Sequence, residues 1–566
     1  MEMPSSEHVN LKEAHAHLST VPSDSVRKRV RRKQRNPRIA TSCEPCRASK
    51  LRCDRRSPCG ACERRNTLQR CRYSNSKDKS AGVSQQPPSS DDQVPNTDNS
   101  HYRGDEDYMR VSWDEHWQRP SQATMLKTHR TLVPPHHMTT SPSVEELVSY
   151  LPPADYCDYL MTQYFTYIAP MFFVLHETSF QIRYTSLNQD RQFHDNLSWL
   201  ALIFSILSVA VQTLEFEDTV LKPIRRQFQG SDSTRGLATE LRTLAMACLS
   251  ADKFMFCFNL VTLESVILLC YGICHDSGVD AAWNLLGVAT NMGAALKCSS
   301  SLQEPRDSSN IDSERRRRCW ISILSLHTYQ AILFRDVDVQ SLVKTLPPDL
   351  VVRQEAMASM PATGTVVMNI KMRLFKLASR ICSTDAIKTI IQEEDTLLES
   401  LDADLSKERE FWSAQFLDNG ALRVLEPTSY AHWCMFEMYA HQLYLHLHRP
   451  FSRSQPTANR SRYRQSSKWR CIASGAALLD IQEKYLELPQ LRHHCWTIYG
   501  MNASCTVHGA LALASCLLGE NQEAFNLTQY KVAFDAAVNR MGRFQHCCAT
   551  YLKAYPVLSH IQYVIR

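Results

Sequence analysis

From about residue 144 onward, apolar side chains recur every three to four positions in stretches too long for strands. That period places them on one face of a helix. In 196–215 the positions Leu197, Leu200, Ile203, Leu207 and Ala210 form such a stripe. The same spacing predicts helices over 260–271, 281–296, 317–333, 368–405, 430–447, 467–486, 499–518 and 529–555. No run of alternating strands separates them, and no fixed repeat length appears, which argues against a regular solenoid. Residues 144–566 therefore read as one large all-α body with room for two subdomains. Only 16 glycines in 566 residues fits that reading, because turn-dense β proteins need more of them. The longest apolar run, 199–211, is too short to cross a bilayer, which predicts no membrane partner.

The pattern vanishes upstream. Residues 74–141 are dominated by Ser, Gln, Pro, Asp and Asn, with too little apolar content to pack, and are expected to be a disordered linker. No apolar heptad follows from it, so no coiled coil is expected. Residues 1–26 are polar and lack the apolar core of a secretory leader. Charge then changes the picture. The chain carries a net +6, yet 27–73 alone holds 17 Lys and Arg against Glu44, Asp54 and Glu63, leaving the remainder at −8. A basic block on a mildly acidic protein points to a polyanion contact at one end. Eight of those basic residues fall within 27–38. The run Arg27, Lys28, Arg29, Arg31, Arg32, Lys33 and Arg35 reads as a nuclear import signal that adds non-specific DNA affinity. A solvated tail is the plainer alternative.

Immediately after this arm come Cys43, Cys46, Cys53, Cys59, Cys62 and Cys71, spaced C-x2-C-x6-C-x5-C-x2-C-x8-C. Two C-x2-C pairs, each followed by a further Cys, make two near-equivalent half sites. Six thiolates are too few for two separate four-coordinate zinc ions, but sharing two sulfurs gives each ion four ligands. In that arrangement Cys43 and Cys59 bridge, Cys46 and Cys53 complete one site, and Cys62 and Cys71 the other. All-thiolate ligation favours zinc, so two Zn²⁺ per chain are expected. Such a module, with little core of its own, folds only with metal. A protein-binding zinc knuckle would need eight ligands, and a thiol-redox role would need a βα setting. The other fifteen cysteines lie in apolar stretches and read as buried thiols of a reducing compartment.

The segment CEPCRASKLRCDRRSPCGACERRNTLQRCRY resembles the fungal binuclear zinc cluster (Zn2Cys6) family of transcription regulators. Its Cys spacing, Arg47, the run Lys50-Leu51-Arg52-Cys53-Asp54, and Pro58 carry the likeness. The resemblance implies a short helix entering the major groove of double-stranded DNA and reading a CGG-type triplet through Lys50. A helix end bearing Lys50 can donate to guanine O6 and N7. Where the family often has a second basic residue, this chain has Ser49. Arg47, Arg52, Arg55 and Arg56 are placed for phosphates, which position without specifying. The segments 151–180, 263–298, 313–320, 446–451 and 461–482 resemble the middle homology region that accompanies such clusters. After Trp320, the family's usual Asp-Arg pair and Gly-Arg-Pro turn are replaced by LHTYQAILFRDVDV.

These likenesses imply a mostly α protein with four parts: a disordered basic arm (1–38), a zinc-cluster domain (39–75), a disordered linker (76–143) and an all-α regulatory domain (144–566). They imply a nuclear regulator of RNA polymerase II genes, an activator by family habit, serving a biosynthetic gene cluster or a nutrient-use pathway. Coactivators or the transcription machinery would be its protein partners, and a homodimer through the helical body stands beside a monomer. A non-sequence-specific chromatin or RNA-binding zinc protein is the rival reading. No catalytic motif appears: no Gly-x-Ser-x-Gly elbow, P-loop, dinucleotide fingerprint or His-Glu-x-x-His. Cys270-x3-Cys274-His275 is expected to be buried, and the trio His441, His446 and His448 to be core or surface histidines rather than metal ligands. Arg315 to Arg318 is expected to be a solvated helix start. Segment 105–117 mixes acids with aromatics as activation segments do, and 393–405 reads as an ordinary amphipathic helix.

Overall fold

The computed structural model describes residues 46, 53–54, 59–65, 143–190, 196–214, 221–227, 233–302, 310–334, 339–346, 363–383, 395–418, 421–422, 426–452, 461–518 and 527–565. The chain divides into two units, 1–96 and 97–566. In the first, the described helix is α1 (Gly60–Glu63). The second opens with α2 (Val144–Ser149) and α3 (Ala154–Gln163), which runs into a π-helical turn at Tyr164–Ile168 and then α4 (Ala169–Phe172). There follow α5 (Glu177–Asp190), α6 (Leu197–Thr213), α7 (Lys222–Gln227), α8 (Thr234–Ala251), α9 (Leu260–Ser277), α10 (Trp283–Ala295), α11 (Ile311–Phe334) and α12 (Gln340–Val343). The remainder is α13 (Thr363–Ile381), α14 (Asp395–Phe416), α15 (Pro427–Ser452), α16 (Ser461–Glu487), α17 (Trp496–Tyr499), α18 (Ala503–Leu517), α19 (Thr528–Phe544) and α20 (Ala549–Ile565).

Capping residues start several of these helices by giving an orphan backbone N–H an acceptor. Ser143, Asn196 and Ser233 accept from Glu146, Trp199 and Gly236, and Asn259 forms a reciprocal capping box with Thr262. The helices then bury their stripes in one continuous core that runs from Leu147 to Ile561, so the second unit does not split into two hydrophobic subdomains. Helix α6 is its centre on the N-terminal side, packed along α8 and α9. Two of its buried serines are matched: Ser205 bonds Ser265 at 2.9 Å and Ser208 donates to the Ala238 carbonyl at 2.8 Å. On the C-terminal side α15, α16 and α18 pack together, and α13 links the halves through α11, α14 and α15. Among the described residues α9 is long and apolar enough to cross a membrane, yet most of it is buried within the protein and its Glu264 is ion-paired.

The elements differ from expectation at their breaks. The helix expected over 368–405 is two, α13 and α14. The one expected over 529–555 is also two, because Gln545 to Cys548 turn between α19 and α20 and Cys547 Sγ donates to the Phe544 carbonyl. No glycine or proline signals that turn. Conversely Pro450 and Pro556 lie inside α15 and α20. A two-residue antiparallel ladder, β1 (Leu417–Asp418) with β2 (Ala421–Leu422), follows α14 where only helix was expected.

Candidate metal centre and nucleic-acid interface

Four of the six predicted metal ligands lie among the described residues. Cys46, Cys59 and Cys62 are buried and Cys53 is half-buried. The sulfurs of Cys46, Cys59 and Cys62 lie within 4.8 Å of one another, as do the ligand atoms of Cys53, Asp54 and Cys59. Cys59 belongs to both groups. Its sulfur is 3.5 Å from that of Cys46, far outside a disulfide of ~2.05 Å. Two thiolates held at ~2.3 Å on one tetrahedral zinc stand roughly 3.8 Å apart, so this spacing suits co-ligands. Local backbone explains the convergence. The amides of Cys62 and Glu63 both donate to the Cys59 carbonyl, at 2.9 and 3.0 Å, which starts α1 and turns the second C-x2-C pair inward. The Cys62 amide also approaches the Cys59 sulfur at 3.4 Å, a donor that favours thiolate over thiol. The donor set fits zinc: four sulfurs, three of them fully withdrawn from water, which make up the buried cluster of this segment among the described residues.

Cys43, Cys71, the base- and phosphate-reading candidates Arg47, Ser49, Lys50, Arg52, Arg55 and Arg56, and the import run from Arg27 to Arg35 lie outside the described residues. So do the linker and segment 105–117. Two exposed arginines, Arg64 and Arg65, directly follow α1 beside the cysteine core and were not singled out from the sequence.

In the helical unit the expected core chemistry is found with one correction. Burial raises the thiols of Cys270 and Cys274 well above their ordinary range and depresses His275 to about 4. A thiol that resists ionisation is a poor nucleophile. Cys157, Cys248, Cys298 and Cys434 are likewise pushed up to about 12 by burial. Cys257 departs from the pattern, exposed in the loop before α9. His441, His446 and His448 are buried: His446 bonds the Ile332 carbonyl and His448 bridges Ser467 at 3.1 Å and Asp402 at 2.8 Å. Leu398, Leu401 and Leu405 of α14 face the core, as an amphipathic helix requires.

The correction concerns Arg315 to Arg318. Far from a solvated start, Arg315 makes two 2.9 Å bonds to buried Glu264, and Arg317, itself buried, donates to the Ser301 carbonyl at 3.0 Å. Arg318 donates to the Leu175 carbonyl at 3.0 Å and to Glu314. The reason is tertiary: α9 presents a carboxylate in the core, and the segment ends at 175 and 301 leave carbonyls without helical partners.

Buried charges such as Arg242 and Lys371 were not singled out from the sequence. Lys371 sits on the apolar stripe of α13 between Val367 and Leu374, 8% exposed, with its Nζ donating to the Met171 carbonyl at 2.7 Å. A lysine at a core position of an otherwise regular stripe was the available signal.

Comparison with known proteins agrees with this division. Residues 41–80 match the fungal Zn(2)-Cys(6) binuclear cluster domain, and 161–342 match the fungal specific transcription factor domain. The second match takes in α4 to α11 and stops before 446–482, where resemblance was also expected. Transcription factor opdR of Penicillium oxalicum is 55% identical over 42 residues, 7% of this chain and 5% of that protein. An uncharacterized transcriptional regulatory protein of Schizosaccharomyces pombe is 23% identical over 351 residues, 51% of this chain. The aligned span covers 54% of that relative's length. A binuclear cluster domain binds two zinc ions and contacts DNA, and clustered Cys46, Cys59 and Cys62 are its visible part here.

Proposed function

We propose, for a chain that belongs to the fungal Zn2Cys6 family of transcription regulators, that it reads a CGG-type triplet through Lys50 and activates RNA polymerase II genes. The observation that carries the reading is the position of Cys59, whose sulfur sits in both the Cys46–Cys62 group and the Cys53 group. A bridging thiolate needs that position. With Cys43 as the second bridge, six sulfurs satisfy two ions and leave the core at −2. The arginines that neighbour these cysteines in sequence offset part of that charge and supply phosphate contacts. Lys50 supplies the base contact, and Arg47, Arg52, Arg55 and Arg56 the register. The arm from Arg27 carries the protein to the nucleus. The domain limits, 39–75 for the cluster and 144–566 for the helical body, belong to the same proposal, as does control of a biosynthetic or nutrient-use pathway. The family consists of regulators rather than enzymes, and the buried, un-ionised thiols of α9 accord with that.

The test is selection of bound sequences from random duplex DNA by the full chain, with and without Lys50→Ala. The variant is expected to lose about 1–3 kcal/mol on the preferred site and little on random DNA. A uniform loss across sequences would reduce Lys50 to a phosphate contact. A steep salt dependence with no enriched sequence would favour the non-specific rival.

A further inference from the structure

The chain between the π turn and α5 is fastened by side chains of three other helices. The carbonyls at 170–172 end α4, where a helix leaves its acceptors open. Each accepts from a different helix: His432 Nε2 of α15 donates to Pro170 at 3.0 Å, Lys371 Nζ of α13 to Met171 at 2.7 Å, and Ser322 Oγ of α11 to Phe172 at 3.3 Å. Arg318 of α11 adds a bond to the Leu175 carbonyl at 3.0 Å. The backbone itself is irregular here. The π turn at Tyr164–Ile168 interrupts the helix, and Phe173, with φ 58°, takes a left-handed conformation that a bulky residue adopts at a cost. The Phe172 ring stacks on Tyr271 of α9 at 3.9 Å and meets Trp496 edge-on at 5.6 Å.

Two of these fasteners are bases held out of water. Lys371 has the Met171 carbonyl and, at 5.5 Å, the face of Phe173. The space beside it, lined also by Tyr271, Tyr329 and Tyr439, is about 30 Å³. That admits a water or two, far less than the hydration an ammonium has in solvent. His432 lies against Phe173 with ring centroids 6.0 Å apart, and its Nδ1 is buried with no hydrogen-bond partner. The carboxylates of the packed helices are engaged elsewhere: Glu408 and Asp404 of α14 with Arg373 and Arg380, and Glu437 of α15 with Arg409. Helix α12 carries no charged residue. The titratable groups facing Lys371 are therefore three tyrosines and His432, with buried His494 close enough to His432 to disfavour its protonation.

We infer that segment 164–175 is a proton-coupled strap: its release returns Lys371 to water as an ammonium, so a fall in pH favours release and a rise favours the closed form. Burial depresses Lys371 to about 7 in the closed form, against 10.5 in solvent. The open form thus binds more protons between those values, and closed-state stability is lost as pH falls through that window, levelling below about 6. His432 acts in the same sense at lower pH, because it is held at about 3 when closed and titrates at 6.5 when released. Release uncovers Met171, Phe172 and the Tyr271 ring beneath them, all buried in the closed form. The strap is independent of the DNA reading, since no DNA is needed to observe it.

Amide hydrogen exchange of the zinc-loaded full chain, read by mass spectrometry and corrected for intrinsic exchange, tests it. Between pH 8 and 6 the protection of 164–175 is expected to fall roughly tenfold or more, most of it by pH 7, while α18 keeps its protection. Lys371→Met should flatten that step. Lys371→Arg keeps a donor for Met171 but holds its proton throughout, so it should be less protected at pH 8 and show no step. His432→Gln should retain the step above pH 7. A flat wild-type profile, an equal fall in α18, or an unaltered step in Lys371→Met would each overturn the strap. If Lys371→Met does not fold, Lys371→Arg decides: a tenfold fall retained there would reduce Lys371 to a tether for Met171 with no part in proton coupling.

Discussion

Cys59 shows how a single side chain concentrates the chemistry of the N-terminal unit. Its sulfur lies within ligand distance of three other cysteines and receives a backbone amide besides. Cys59→Ala is therefore expected to reduce zinc from two ions per chain to near none, read by metal analysis of the purified protein. Retention of two ions would refute bridging by Cys59. Glu264 is the equivalent in the helical unit. Its carboxylate is 3% exposed and held by two bonds from Arg315. Burial pushes its pKa up while the guanidinium pulls it down, and the short bidentate geometry favours the ionised pair. Glu264→Ala leaves Arg315 facing an uncompensated site and should cost about 3–5 kcal/mol in urea unfolding. A loss below ~1 kcal/mol would mean that water reaches the pair. Nothing in the local sequence around Arg315 distinguishes it from a solvated arginine. Its partner lies 51 positions away, and only the packing of α9 against α11 brings them together.

At the scale of elements, small residues set how closely helices approach. Helices α16 and α18 cross at Gly475 and Gly509. A Cβ on Gly509 would stand 2.8 Å from Leu478 Cβ, and one on Gly475 would stand 2.9 Å from the Gly509 carbonyl oxygen. Neither neighbour is the free end of a flexible side chain, so the helices would have to separate. Gly509→Ala is expected to destabilise the helical unit by roughly 1–3 kcal/mol despite alanine's better helix propensity. A gain in Tm would show that the crossing relaxes without cost. The same logic explains which elements were legible in advance. The apolar stripes of α6, α9, α15, α16 and α18 announce themselves by period alone. Helix α8 does not, because its core face includes Arg242, which reads as a solvent position until Asp276 of α9 is placed beside it. The turn between α19 and α20 carries no breaker residue, and the π turn before α4 leaves no mark in composition. Both are settled by what packs against them.

For the whole molecule, two dependences separate the units. Chelation of zinc should abolish folding of the cluster and DNA binding while leaving thermal unfolding of the helical unit unchanged, since no described cysteine group of metal-holding geometry lies in 143–565. A matching loss of the helical transition would show that the units fold together. Acid should act on the helical unit instead. Burial holds His432 at about 3 and His494 at about 4, against 6.5 when unfolded. The unfolded chain thus binds protons first, and stability present above pH 6.5 is lost as pH falls toward 4. By pH 5 each imidazole accounts for roughly 2 kcal/mol of that loss. Lys371 adds no slope there, being protonated in both states below about 7. His432→Gln should flatten the dependence between pH 6.5 and 5, and an unchanged slope would remove His432 from the account.

The sequence by itself determined the chemistry that depends on spacing along the chain. Six cysteines within twenty-nine residues define two zinc ions. An adjoining block of positive charge defines a polyanion partner, and a 3.6-residue period defines an all-α body. These are local properties, since the atoms concerned are close in sequence before they are close in space. Tertiary structure alone decided which charges are buried and what matches them: Arg315 with Glu264, Arg242 with Asp276, and Lys371 with the Met171 carbonyl. Burial and pairing depend on residues dozens to hundreds of positions apart. No period or motif in a single chain records that distance until the helices are packed.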